Sequence, residues 1–130
     1  MSDHYLDRVR AFHKKLYGDQ AEPASLSNDR VVLARLRLMM EELGELASAM
    51  HEEDLVATAD GLADLLYVVF GTALVLGIPI AEVYAEVHKA NMSKDLATAD
   101  TGQKYGSKTA KGRGYKAPNL EPILCRAGLL

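Results

Sequence analysis

Seventeen consecutive uncharged residues, Leu65 to Ala81, follow directly on Asp64, and they limit this chain's folds more than any other feature. Seventeen falls short of the ~20 residues that cross a bilayer, and Gly77 and Pro79 interrupt the far end. The segment therefore reads as a buried helix outside any membrane. A helix that is apolar all round needs neighbours on every side, and 130 residues arranged as four helices could hardly supply them. The expectation is a homo-oligomer, either a homodimer or a homotetramer, with this helix near the subunit interface.

The remaining pattern is also helical. Leu6, Val9, Phe12, His13 and Leu16 recur at intervals of three and four, predicting a helix over about 3–17, with Ser2 as N-cap and Gly18 just past its end. A Gly-, Pro- and Ser-containing loop leads to a cap at Ser27 or Asn28 and a second helix over about 29–51. Its expected buried side is Leu36, Met39 or Met40, Leu43, Leu46 or Ala47, and Met50. The short EEDL link precedes a third helix over about 56–76, and Pro79 opens a fourth that runs to about Met92. With no Trp and 6% aromatic residues, the core should be aliphatic. The expected fold class is all-α, an antiparallel four-helix bundle-like unit.

Charge divides the chain. Residues 1–93 hold 8 basic and 15 acidic side chains, whereas residues 94–130 hold 7 basic and 3 acidic. The expected organisation is a helical domain over 1–93 with a basic Gly/Lys-rich arm over 94–130 belonging to the same domain. The lone Cys125 can form no internal disulfide, and the N-terminal residues carry no apolar export segment. Both features lead to a cytoplasmic expectation.

The chemistry concentrates in two acidic sectors. Glu45 lies one turn from both Glu41 and Glu42, so the segment EELGE puts three carboxylates in one sector of helix two. Asp60 and Asp64 are likewise one turn apart on helix three, and a tight hairpin brings the two sectors toward the same height. Facing carboxylates without Cys or well-spaced His would form a hard oxygen site suited to Mg²⁺ or Mn²⁺, which in turn implies phosphate chemistry. The same acids could simply be the solvated face of a helix. On spacing alone the two readings stand level, because Asp64 borders a buried run with no evident partner.

At these residues the sequence resembles the MazG-like all-α nucleoside triphosphate pyrophosphohydrolases, a superfamily that includes phosphoribosyl-ATP pyrophosphohydrolases and dimeric dUTPases. EELGE, DGLADLLYVVFGTAL and VHKANMSK carry the resemblance, which runs from about Leu33 to Pro118. It implies hydrolysis between the α and β phosphates of a nucleotide, with Mg²⁺ as cofactor and Mn²⁺ as an alternative. Glu41, Glu45 and Asp64 would hold the metal, and Glu42 would orient or deprotonate the attacking water or else serve as a further ligand. The pattern expects a Glu three residues before Asp64, where this chain has Gly61, and Asp60 is the candidate replacement. Asn91 and Lys94 would face substrate, joined by Lys104, Lys111 and Tyr115 of the arm. Without the resemblance, that arm would read as a flexible basic tail.

Two other classes compete. A non-catalytic oligomeric helical module could hold a nucleotide or a protein partner without turnover. Nucleic-acid binding through the basic arm is disfavoured, because an acidic body repels the phosphate backbone. No P-loop, nucleophile elbow or Cys-x-x-Cys is present.

Overall fold

The computed structural model describes residues 4–20, 22–96 and 109–130. Its elements are α1 (His4–Tyr17), α2 (Asp29–His51), α3 (Leu55–Val75), α4 (Ile80–Met92), a two-residue ribbon of β1 (Asp95–Leu96) and β2 (Thr109–Ala110), and α5 (Glu121–Arg126). Apart from that ribbon the regular structure of the described residues is helical, as the sequence predicts. The ribbon and α5 are not legible from hydrophobic periodicity, since neither is long enough to show a period. Ser2, the expected cap of α1, lies outside the described residues.

The chain forms two compact units, Ser2–Ile80 and Ala81–Leu130. In the first, α2 and α3 form an antiparallel hairpin and α1 packs on α3. Asn28 caps α2 by accepting from the Val31 amide at 3.3 Å, and Asp54 caps α3 by accepting from the Ala57 amide at 2.9 Å. Between the two helices, Glu53 takes a left-handed conformation with φ of 57°. Such a turn costs a non-glycine residue roughly 1–2 kcal/mol, offset here by the Glu52 and Asp54 amides donating back to Ser48 and Ala49. The reversal is thereby fixed within three residues.

The register of the hairpin follows from two close approaches. A Cβ on Gly61 would lie 3.2 Å from the Leu46 Cα, so the helices touch where α3 has no side chain. Further along, Arg35 of α2 donates from Nε to the Thr72 hydroxyl at 3.1 Å and from its terminal nitrogen to the Val68 carbonyl at 2.9 Å. One constant antiparallel offset satisfies both contacts, and it puts Glu42 level with Asp64 and Leu65.

The buried side of α2 differs from the expected one. Leu46 and Ala49 are buried, while Leu36, Met40, Leu43 and Met50 are 45–69% exposed. Two apolar stripes run along this helix. The stripe facing α3 holds Arg35, Met39, Glu42, Leu46 and Ala49, and it approaches closely because Gly61 of α3 has no side chain. Leu33, Leu36, Met40, Leu43, Ala47 and Met50 repeat at three and four on the outer side. On α1, Leu6 and Val9 are buried against Phe70, with Leu74 and Ile80 packed alongside, whereas Phe12 and Leu16 stay largely exposed. By length and composition α3 could cross a bilayer, and it packs along α2 and carries two aspartates.

In the second unit, the arm returns along α4. The Ser93 hydroxyl donates to the Ala90 carbonyl at 2.6 Å and accepts from the Lys116 amide at 3.0 Å. Glu86 accepts from the Asn119 amide at 3.1 Å, and Arg126 of α5 meets Glu82 at 3.5 Å. Ile123 of α5 is buried.

Candidate functional site

Glu42 sits on the α3-facing stripe of α2, where a carboxylate is costly unless something pairs with it. Its Oε2 is buried and has no hydrogen-bond partner among the described residues. Burial raises the Glu42 pKa above the ordinary carboxylate value, and the negative charges of Asp64, Glu45, Glu41 and Asp60 push it further in the same direction. Asp64 has the largest of these four effects, in keeping with the register that places it level with Glu42. The other four carboxylates singled out in the sequence therefore all act on Glu42, two of them from across the hairpin.

They do not close into a cage. Among the described residues no three acidic, His or Cys side chains converge closely enough to enclose an ion. Glu41, Glu45, Asp60 and Asp64 are exposed, so their side chains are free to reorient. Among the described residues the one compensating contact is Arg37 Nε to Glu41 at 3.6 Å, between side chains 74% and 56% exposed. Such a surface pair is worth at most about 1 kcal/mol and cannot balance five acids. A half-buried, unpartnered oxygen among mobile hard donors is the electrostatic condition that a divalent cation relieves.

A groove of about 480 Å³ runs beside Glu41 and Glu45 on α2, with Ser48, Glu52 and Ala57 completing its wall. Gly44 lines it too, and nothing lies within 4 Å of where a Cβ at that position would be. The sequence reading missed Ser48 and Glu52, although both continue the spacing of Glu41 and Glu45 at positions i+7 and i+11 of the same helix. Gly61 is buried against Leu46, and a Cβ there would lie 3.2 Å from Leu46, so the Glu that the resemblance expects would need the helices to shift. Asp60, one place earlier, is exposed and lies within electrostatic reach of Glu42.

The substrate residues expected downstream lie in the other unit. Asn91 is exposed at the end of α4, and its carbonyl accepts from the Lys94 amide at 3.0 Å. β1 pairs with β2 through Asp95 opposite Ala110 and Leu96 opposite Thr109. Continued by one position, this register sets Lys94 and Lys111 opposite each other at the ribbon's end. Like charges placed that way are destabilising. Lys111 Nζ stands 5.2 Å from the centre of the Tyr115 ring, a cation–π contact that steadies the side chain. The Ser93 to Lys116 bond, another feature missed in the sequence, holds this stretch on α4. Lys104 lies outside the described residues.

Two helices paired at a glycine seam, with carboxylates gathered around one unsatisfied glutamate, define an all-α protein with an acidic candidate site. The sequence model of the phosphoribosyl-ATP pyrophosphohydrolase family matches residues 9–91, and the chain belongs to that family, within the MazG-like all-α superfamily. The family is named for a pyrophosphohydrolase activity on a phosphoribosyl nucleotide. The chain is also 45% identical over 51 residues to the uncharacterized protein L479 of Acanthamoeba polyphaga mimivirus. That stretch is 39% of this chain and 20% of the viral protein, so it supports likeness over a segment only.

Proposed function

We propose that this protein hydrolyses a nucleoside triphosphate, or a related nucleotide such as phosphoribosyl-ATP, between its α and β phosphates to release pyrophosphate. The observation that carries this reading is the buried, unpartnered Oε2 of Glu42 amid four further carboxylates. Mg²⁺, with Mn²⁺ as an alternative, would be held by Glu41, Glu45 and Asp64, with Asp60 in place of the Glu expected where Gly61 stands. When bound, the ion would neutralise phosphate oxygens and lower the pKa of attacking water.

Glu42 takes the role of base. A glutamate whose pKa is raised accepts a proton more readily than an ordinary one, and an oxygen without a donor among the described residues is available for it. Lys94 and Lys111 supply positive charge for phosphate, with Asn91, Tyr115 and Lys104 as further substrate contacts. Lysine suits this role as a mobile point charge.

We also propose that the protein works as a homodimer or homotetramer in the cytoplasm, with no membrane or nucleic-acid partner. The outer stripe of α2 supports assembly, because its three-and-four spacing is that of a helix seam. Its large side chains, from Leu33 at 65% exposed to Met50 at 60%, exceed the scattered apolar exposure of a monomer. Leu62, Leu66 and Val69 continue the exposure on α3. Light scattering should give a mass at least twice that of the chain, and Leu43→Glu should halve it.

A panel of nucleotides assayed for pyrophosphate release with Mg²⁺ and with Mn²⁺ tests the activity. At least one should be cleaved, and Glu42→Gln and Asp64→Asn should each abolish cleavage while helical content is kept. Binding without product across the whole panel would identify a non-catalytic nucleotide module instead.

A further inference from the structure

Gly71 of α3 receives two basic side chains at once. A Cβ at Gly71 would lie 2.7 Å from an Arg35 terminal nitrogen and 2.8 Å from His13 Nε2, so the guanidinium of α2 and the imidazole of α1 share the space that glycine leaves open. Arg35 cannot yield, being tied to Thr72 and Val68, and the Thr72 hydroxyl is itself bonded to the Val68 carbonyl at 2.7 Å. Among the described residues no carboxylate forms an ion pair with Arg35 or His13.

The surroundings of His13 offer little to offset a second charge. On α1 its neighbours are Arg10, Lys14 and Tyr17, whose ring meets the imidazole edge to face at 5.6 Å. From α2 comes Arg35, and α3 contributes only uncharged groups. Asp19 and Glu22, on the loop after α1, help line a cavity of about 460 Å³ beside His13 with Arg10, Lys14 and Leu74. Asp19 is engaged by Lys14 at 3.1 Å, which leaves Glu22 as the one uncommitted acid there.

We propose that His13 is an acid-sensitive latch for α1: an imidazolium at the Gly71 notch faces a fixed guanidinium, and the relief is for the C-terminal half of α1 to leave α3. Burial, together with the Arg35 charge, holds the imidazole below its ordinary pKa, which agrees with this arrangement. The remaining ties of that half are modest. They include the Phe12 to Tyr67 ring contact at 5.5 Å and the Gln20 amide on the Val75 carbonyl at 2.9 Å, whereas Leu6 and Val9 anchor the N-terminal half. Acid would thus open one end of the helix without unfolding the hairpin.

Hydrogen exchange of the whole protein at pH 7.5 and 5.5, corrected for intrinsic rates, tests the latch. Amides of α1 beyond Arg10 should lose protection by up to about tenfold, the limit set by an unfolded pKa of 6.5 lying one unit above pH 5.5, while α2 and α3 hold theirs. In His13→Gln the loss should disappear. Should that variant fold poorly, NMR titration of the native His13 serves in its place, its midpoint expected below that of an unfolded peptide and coincident with the loss of protection. Unchanged protection in the native protein, an identical loss in His13→Gln, or a His13 midpoint at or above the ordinary value would each overturn the proposal.

Discussion

Arg35 and Glu42 lie on the same stripe of α2, two turns and about 10 Å apart, and both point a charged group at α3. At Arg35 the polar accounts close: the guanidinium reaches a hydroxyl and a carbonyl, and glycine clears space for it. At Glu42 they stay open, with one oxygen lacking a donor among the described residues and four carboxylates adding to the effect of burial. Folding stability favours the first arrangement and opposes the second. A charge that harms the fold and is left unpaired is a candidate for chemistry, and a charge fully bonded is a candidate for structure.

The sharpest way to break this contrast is to remove each charge in turn. Glu42→Gln should lower turnover by about 10²–10⁴-fold, the range for losing a positioned acid–base group, with the metal-free protein no less stable than the parent. Pyrophosphate release and urea unfolding read the two halves of this statement. Arg35→Met should do the reverse. Two hydrogen bonds from a charged donor are lost, costing about 2–3 kcal/mol in urea unfolding, while turnover per folded molecule stays within about threefold. If Arg35→Met abolished turnover in fully folded protein, the division between the two sites would fail.

Much of this contrast could be read before the structure. The bounds of α2 follow from its caps, and the shared sector of Glu41, Glu42 and Glu45 follows from helical spacing alone. The burial of α2 could not be read that way, because two apolar stripes run along it and periodicity does not say which one meets α3. Leu43 and Met50 were expected inside and lie outside. What decides is contact distance: Gly61 lets the Leu46 side of α2 come close, and Arg35 finds its acceptors only in that rotation. Arg35 itself gave no signal, since a lone arginine in a helix reads as a surface charge until its acceptors are known. The ribbon that sets Lys94 opposite Lys111 was equally hidden, being two residues per strand.

The glycine seam offers a test of smaller effect. Gly44→Ala adds a methyl group where nothing lies within 4 Å, so it should raise stability by about 1 kcal/mol through helix propensity alone. Gly61→Ala has the same propensity gain, but its methyl group meets the Leu46 backbone at 3.2 Å and must push α2 away. Overpacking of that kind costs about 1–3 kcal/mol, leaving a net loss of about 1 kcal/mol. Paired denaturation curves should therefore move in opposite directions. The separation of Glu42 from Asp64 changes only in the second variant, so a fall in turnover specific to Gly61→Ala would tie the seam to the site.

The smallest effect is the most direct reading of Glu42. Its folded pKa lies above the unfolded one, so between the two values the native state binds more protons than the unfolded state. Stability therefore falls as pH rises through that window, and it is highest below the unfolded value near 4.5. In metal-free protein, thermal midpoints measured from pH 4.5 upward should decline for the parent relative to Glu42→Gln, which has no proton to lose there. Adding Mg²⁺ at pH 7.5 should recover the difference in the parent and leave the variant nearly unmoved, because a cation supplies the partner that the ionised carboxylate lacks. A parent and variant with parallel pH profiles would mean that the buried oxygen is satisfied in solution, and the distinction between the open site and the closed one would then lose its physical basis.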